Sequence, residues 1–220
     1  MISSLIHFFH NMPEVIGAWS VSMGPLVYVF IFAIIFCETG LVILPFLPGD
    51  SLLFALGTLS VAEHSNLKIS FLMALLPLAA LTGDFLNYNF GKFFGRKYLD
   101  RDSGLINKKH LYKTQAFYNR HGGKTICFAR FVPIVRTYAP FVAGVGQMKF
   151  SKFFAYSVLA AYIWVFSFLI MGYFFGNIPA IKTNFQFVIL AIIVISVLPA
   201  VFELIRGRRQ EQAEAVEKHL

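Results

Sequence analysis

The segment FARFVPIVRTYAP, residues 128–140, places two arginines inside a stretch that is otherwise apolar. Arg130 and Arg136 carry permanent charges, and a charged side chain deep in a bilayer is costly unless it finds a partner. Pro133 lies between them and prevents a regular helix there, because proline lacks a backbone N–H. The segment therefore predicts a helix that is broken at Pro133 and again at Pro140. Its arginines are expected to contact carboxylates, backbone carbonyls or an anionic ligand, or else to extend to the lipid headgroups.

The composition places this segment in a membrane protein. The chain has 220 residues, of which 57% are hydrophobic and only 14% are charged, whereas a soluble domain is about 25% charged. The net charge is +8, but the basic residues cluster at 92–124 and 206–209, between or after apolar stretches. This pattern is typical of basic cytoplasmic loops. It excludes a disordered chain and a soluble enzyme, and no nucleic-acid partner is expected.

Two apolar segments are interrupted by proline and are predicted to be re-entrant helical hairpins. The first covers about 26–62 and is broken by PFLPGD at 45–50. Its second arm is too short to cross a bilayer, which needs about 20 residues. The second hairpin covers about 125–147. Broken apolar segments at corresponding positions in two halves of a chain point to the binding site of a transporter.

Three further segments, at about 70–91, 153–176 and 185–205, are long enough to span a membrane. The loop at 92–124 has nine Lys and Arg against two Asp. By the positive-inside rule this loop and the tail at 206–220 lie in the cytoplasm. The hairpins then enter from opposite sides, and the all-α fold is an inverted repeat of a hairpin followed by a span.

The domain organisation follows from these segments. Residues 1–25 are predicted to be an N-terminal interfacial segment, residues 26–205 a single membrane domain, and the remainder a charged cytoplasmic tail. A short internal match, GKFFG at 91–95 and GYFFG at 172–176, accompanies the proposed repeat.

Three acidic residues lie in or beside apolar segments. Glu38 follows a long apolar run and is expected to take up a proton, pair with a cation or face a cavity. Asp50 follows a Pro-Gly turn, where an N-cap role and pairing with a cation are compatible. Asp84, Asn87 and Tyr88 share one helix face. That face is either a polar stripe inside the helix bundle or part of a transport path.

These residues resemble the DedA family of membrane proteins over roughly residues 20–205. The resemblance rests on CETG at 37–40, PFLPGDSLL at 45–53, GD at 83–84, GGK at 122–124 and the segment from Phe128 to Gly144. It implies two re-entrant hairpins that face each other, as in eukaryotic lipid scramblases of the same superfamily. It also implies a bacterial cytoplasmic membrane protein that recycles undecaprenyl phosphate, depends on the proton-motive force and supports the integrity of the envelope.

The same resemblance assigns roles to residues. Arg130 and Arg136 would bind the phosphate, while Glu38 and Asp50 would couple protons or pair with the arginines. Secondary candidates are Asp84, Tyr88, Pro48, Gly49, Ser51, Pro133 and Thr137. No catalytic residue, metal or cofactor is expected.

The leading interpretation is a multi-pass flippase for a lipid monophosphate, with a prenyl phosphate and protons as its partners. A proton-coupled small-ion exchanger that supports the membrane potential, a general phospholipid scramblase and a non-transporting assembly factor remain alternatives. A membrane phosphatase is disfavoured, because it needs a nucleophile and an acid–base group and neither hairpin contains a histidine. The sequence leaves the exact lipid, the coupling ion and the formation of a homo-oligomer open.

Overall fold

A computed structural model of the protein describes residues 21–41, 49–61, 65–99 and 123–176, with isolated positions between 178 and 191. Within these residues the chain forms six helices and no strand, so the predicted all-α class is confirmed for the described part. The helices are α1 (Leu26–Gly40), α2 (Gly49–Leu59), α3 (Ile69–Leu99), α4 (Lys124–Ala129), α5 (Pro133–Val145) and α6 (Phe150–Phe175). The predicted N-terminal segment, the span at about 185–205 and the tail lie wholly or largely outside the described residues.

The two longest helices correspond to two of the predicted spans. Ile69–Gly95 of α3 and Phe150–Phe175 of α6 are long and apolar enough to cross a membrane, with mean hydropathies of 1.8 and 2.1. Only 39% and 33% of their most apolar windows are buried inside the protein. The rest presents large apolar side chains outward, as a lipid-exposed helix does. Helix α3 is longer than predicted and continues through Pro77.

The break predicted at Pro133 is present. Helix α4 ends at Ala129, and Pro133 begins α5 after an extended residue, Val132. A residue before proline favours this extended conformation, and proline fits the first turn of a helix because its missing N–H has no intrahelical partner there. The second predicted break is wrong: Pro140 lies inside α5. The loss of one backbone hydrogen bond does not end this helix, since α5 packs along much of α3.

The two arms of the first predicted hairpin have different partners. Helix α1 packs on α3, and α2 packs on α6. Their interface with the long helices forms the larger apolar core, which includes Ile35, Leu53, Leu76 and Leu169. The chain between the arms, residues 42–48, lies outside the described residues, so Pro45 and Pro48 are not placed.

Equivalent glycine contacts occur in the two halves of the chain. Helix α2 packs on α6 as α5 packs on α3. In each pair, a glycine of the short helix lies against two backbone positions of the long helix. The long helix in turn places a glycine against a carbonyl oxygen of the short helix, and this is the first glycine of GKFFG or of GYFFG. The close approaches are Gly57 to Leu169 and Tyr173, Gly144 to Tyr88 and Lys92, Gly172 to Phe54, and Gly91 to Phe141. The weak sequence match therefore corresponds to a repeated helix–helix interface.

Candidate functional site

Arg136 joins the two interrupted segments of the sequence. It lies in the first turn of α5, and its side chain is buried. One terminal nitrogen is 2.5 Å from Oδ1 of Asp50, the second residue of α2. The other terminal nitrogen pairs with Oε1 of Glu38 near the end of α1. A single guanidinium thus bridges two carboxylates from separate helices, in the forked geometry that arginine provides and lysine does not.

Glu38 is held by the backbone that begins α2. The N–H of Gly49 donates to Oε1 of Glu38 at 3.0 Å. A Cβ at position 49 would overlap the carboxylate of Glu38. Glycine is therefore required for this approach. The first N–H groups of a helix have no partner within the helix, and they lie at the positive end of its dipole, so the start of α2 favours a carboxylate. Helices α1, α2 and α5 meet at one charged cluster.

Arg130 forms a second ion pair beside the first. It follows the last residue of α4, and NH1 pairs with Oδ2 of Asp84 on α3. The hydroxyl of Ser157 on α6 donates to the same oxygen. The sequence suggested Glu38, Asp50, backbone carbonyls or an anionic ligand as partners of Arg130, and Asp84 was only a secondary candidate. The structure pairs Arg130 with Asp84.

Trp164 of α6 connects the two ion pairs. Its side chain is completely buried, and its Nε1 donates to Oδ1 of Asp50 at 2.7 Å. The Cζ atoms of Arg130 and Arg136 lie 5.2 and 5.0 Å from the centre of its ring, within the range of a cation–π contact. Sequence reasoning missed both Trp164 and Ser157. The available signal was their spacing, since residues seven apart share one face of a helix.

The remaining candidates surround the cluster. Asn87 donates to the carbonyl oxygens of Thr39 at 2.7 Å and of Thr137 at 3.1 Å, and so ties α3 to α1 and α5. Tyr88 instead donates to the carbonyl oxygen of Met148 at 2.5 Å and stacks on Phe153. Asp84, Asn87 and Tyr88, which were predicted to share one face, therefore each contact different partners.

Four other candidates lie on or beside these helices in sequence. Ser51 and Thr137 are buried, and they directly follow Asp50 and Arg136 in the sequence. Pro133 sets the start of α5, and Pro48 lies outside the described residues.

The charges of the cluster do not balance. Glu38, Asp50 and Asp84 oppose Arg130 and Arg136, and none of the five is more than 7% exposed. If all five are ionised, the cluster carries one net negative charge in a region of low dielectric, where an uncompensated charge is costly. One proton or another monovalent cation would neutralise it.

Several buried polar atoms in this cluster lack a hydrogen-bond partner among the described residues. They include Nε and NH2 of Arg130 and Nε of Arg136 on the donor side, and Oε2 of Glu38 and Oδ1 of Asp84 on the acceptor side. Buried polar groups are normally satisfied, so unsatisfied ones indicate a place for water or a ligand. Within the described residues, no three His, Cys, Asp or Glu side chains form a metal-ion site.

Comparison with known proteins gives consistent relatives. The VTT domain profile matches residues 47–174. The chain is 46% identical to Protein DedA of Escherichia coli K12 over 210 residues, which cover 95% of this chain and 94% of that protein. It is 38% identical to an uncharacterized membrane protein of Mycobacterium tuberculosis H37Rv, over 81% of this chain and 79% of the relative. The inner membrane protein YqjA of Escherichia coli K12 is 28% identical, over 72% and 71%. No solved structure gives a significant match.

Proposed function

We propose a function from one premise: the chain belongs to the DedA family of VTT-domain membrane proteins. The proposal is that it moves a lipid monophosphate, undecaprenyl phosphate, across the bacterial cytoplasmic membrane with the help of the proton gradient. The single observation that carries it is the pair of buried arginines, Arg130 and Arg136, whose N–H groups are in part without a hydrogen-bond partner in the described part of this membrane protein. A phosphate monoester offers the oxygen atoms that guanidinium groups bind in pairs.

The contacts of Arg136 support an exchange of partners. A lipid phosphate that binds Arg136 would replace the carboxylates of Glu38 or Asp50, because both terminal nitrogens of Arg136 are engaged. The displaced carboxylate would be left buried and charged, which is costly. Protonation of that carboxylate removes the cost. Binding of the anion and uptake of a proton would therefore be linked at one cluster.

The two arginines would act differently. Among the described residues, NH1 is the only nitrogen of Arg130 with a hydrogen-bond partner, whereas both terminal nitrogens of Arg136 are paired with carboxylates. Arg130 thus has donors available before any carboxylate is protonated, and Arg136 gains them afterwards. In this scheme Arg130 makes the first contact with the phosphate, and Arg136 provides the proton-dependent contact.

The proposed membrane arrangement is the inverted repeat expected from the charge distribution. The two interrupted segments would enter from opposite sides, with the 92–124 loop and the C-terminus in the cytoplasm. The repeated contacts of α2 with α6 and of α5 with α3 support two related halves. The charged cluster lies where these halves meet, and the prenyl chain of the substrate would remain in the lipid.

Transport by purified protein in liposomes tests the proposal. We expect labelled undecaprenyl phosphate to cross faster with protein than without it, and faster still with a pH gradient. Undecaprenol, which has the same chain and no phosphate, should not be accelerated. The absence of dephosphorylated product would separate transport from phosphatase activity.

The alternatives predict other outcomes. Equal acceleration of phosphatidylethanolamine would indicate a general scramblase. Proton-coupled movement of a small ion without movement of the lipid would indicate the exchanger, an alternative that the excess of buried carboxylates favours. Either result would contradict the proposed substrate.

A further inference from the structure

Trp164 makes three contacts with the charged cluster through one side chain. Its N–H donates to Oδ1 of Asp50, the same oxygen that accepts from Arg136 at 2.5 Å. Its ring contacts the guanidinium groups of both Arg130 and Arg136. Because both Cζ atoms lie about 5 Å from one ring centre, the two guanidinium groups are within about 10 Å of each other.

We infer that Trp164 is a positioning residue that retains Asp50 when the lipid phosphate takes Arg136, and that it thereby sets the preference for phosphate. This inference rests on the proposed function. In the structure Asp50 accepts from two donors, Arg136 and Trp164. When the phosphate occupies Arg136, the indole N–H of Trp164 is the one of these two donors that still binds Asp50. Its loss should therefore weaken the loaded state more than the empty state.

The indole ring contributes a second effect. A cation over an aromatic face is attracted to the ring, and this attraction is larger when the groups are desolvated. Trp164 contacts both guanidinium groups with one ring, which restricts their side-chain conformations before the ligand arrives. Restriction of this kind lowers the entropic cost of binding.

A purely structural role is the alternative, because Trp164 also packs in the apolar core of α1, α2, α3 and α6. Trp164→Phe keeps an aromatic ring and removes the N–H. Replacement of Trp164 by 3-benzothienylalanine keeps the shape of the indole and puts sulfur in place of the N–H, which protects the test if the phenylalanine variant fails to fold. Phe153→Leu is the matched control, since Phe153 is a buried ring on the same helix that stacks on Tyr88 and packs in a different apolar cluster from Trp164.

The measurement is the affinity of the full chain in detergent for farnesyl phosphate and for farnesol, together with thermal stability. We expect wild type to prefer the phosphate, and both Trp164 variants to lose phosphate affinity by less than the about 10- to 150-fold that a whole hydrogen bond to a charged group is worth, because the protein without ligand loses the same bond. Affinity for farnesol should not change. Phe153→Leu should lower stability and leave the phosphate preference intact.

A double-mutant cycle with Asp50→Asn isolates the proposed contact. If Trp164 acts through the carboxylate of Asp50, its substitution should have a clearly smaller effect on phosphate affinity in the Asp50→Asn background. Wild-type preference for phosphate with unchanged preference in both Trp164 variants, or additive effects in the cycle, would overturn the inference and leave the proposed function standing. Absence of any phosphate preference in wild type would instead contradict the proposed function itself.

Discussion

Replacing Asp84 with asparagine removes the charge that faces Arg130 and changes the size of the side chain very little. Both residues are buried, with 1% of Asp84 and 3% of Arg130 exposed. Arg130 cannot lose its proton, and Glu38 and Asp50 are engaged by Arg136, so the substitution leaves Arg130 without the carboxylate that pairs with it. Breaking a buried pair in this way costs about 3–5 kcal/mol.

The magnitude can be checked against a smaller perturbation at the same atom. Ser157→Ala removes one hydrogen bond to Oδ2 of Asp84 and leaves the ion pair in place. A hydrogen bond to a charged group contributes about 1.5–3 kcal/mol. Asp84→Asn should therefore be the more destabilising of the two. For a chain of this size, a loss of about 3–5 kcal/mol in the free energy of unfolding corresponds to a decrease in Tm of about 6–20 °C.

The assay heats the purified protein in one detergent and measures the fraction that remains monodisperse at each temperature. The double variant Asp84→Asn, Arg130→Gln should regain most of the lost stability, because it removes both buried charges. It should not regain phosphate binding. A Tm of Asp84→Asn within about 2 °C of wild type, or above that of Ser157→Ala, would show that the ion pair of Arg130 with Asp84 does not stabilise the protein in this way.

Three further predictions concern coupling, packing and topology. Glu38→Gln should fold and bind the lipid phosphate but lose the effect of the pH gradient on transport in liposomes, because it removes one titratable carboxylate; full gradient dependence would assign the proton to Asp50 or Asp84. Gly91→Val and Gly172→Val should each lower stability by about 1–3 kcal/mol in thermal unfolding, because both place a side chain against a carbonyl oxygen of the short helix, whereas Phe90→Val at an exposed neighbour should not. The topology is tested with single cysteines in a background without Cys37 and Cys127. In intact cells, cysteines at 92–124 and 206–220 should be protected from impermeant thiol reagents, and those at 64–66 and 178–184 should be labelled. Labelling of the 92–124 loop would exclude the proposed orientation.

The sequence predicted the elements of this fold where one residue dominated the local energetics. Pro133 determines the break before α5, because no arrangement of the chain restores its missing N–H. The apolar runs of α3 and α6 determine the two long helices. Pro140 shows the limit of this reasoning, since packing of α5 along α3 keeps the helix continuous.

The charged cluster was predictable in membership but not in pairing. The cost of burying Arg130 and Arg136 required partners, and only a few acidic residues were available in the apolar segments. Which carboxylate meets which arginine depends on how the helices approach each other, and local sequence does not contain that information. Asp84 therefore gained its partner only from the structure.

Trp164 was missed for a different physical reason. An aromatic residue in an apolar helix is indistinguishable by composition from one that faces lipid or the core. Its role arises from the N–H that reaches Asp50 across helices. The seven-residue spacing from Ser157 would have indicated a shared face, but not what that face contacts.

The most direct test of the central claim, that the buried arginines bind a phosphate group, compares undecaprenyl phosphate with undecaprenol. Affinities are measured for wild type, Arg130→Lys and Arg136→Lys, all of which carry the same charge. The account predicts that wild type prefers the phosphate. It also predicts that each lysine variant inserts normally and loses about 10- to 150-fold in phosphate affinity, because an ammonium group cannot reproduce the planar two-bond contact. No preference for the phosphate in wild type, or unchanged phosphate affinity in both lysine variants, would make the arginines structural counter-ions and contradict the account.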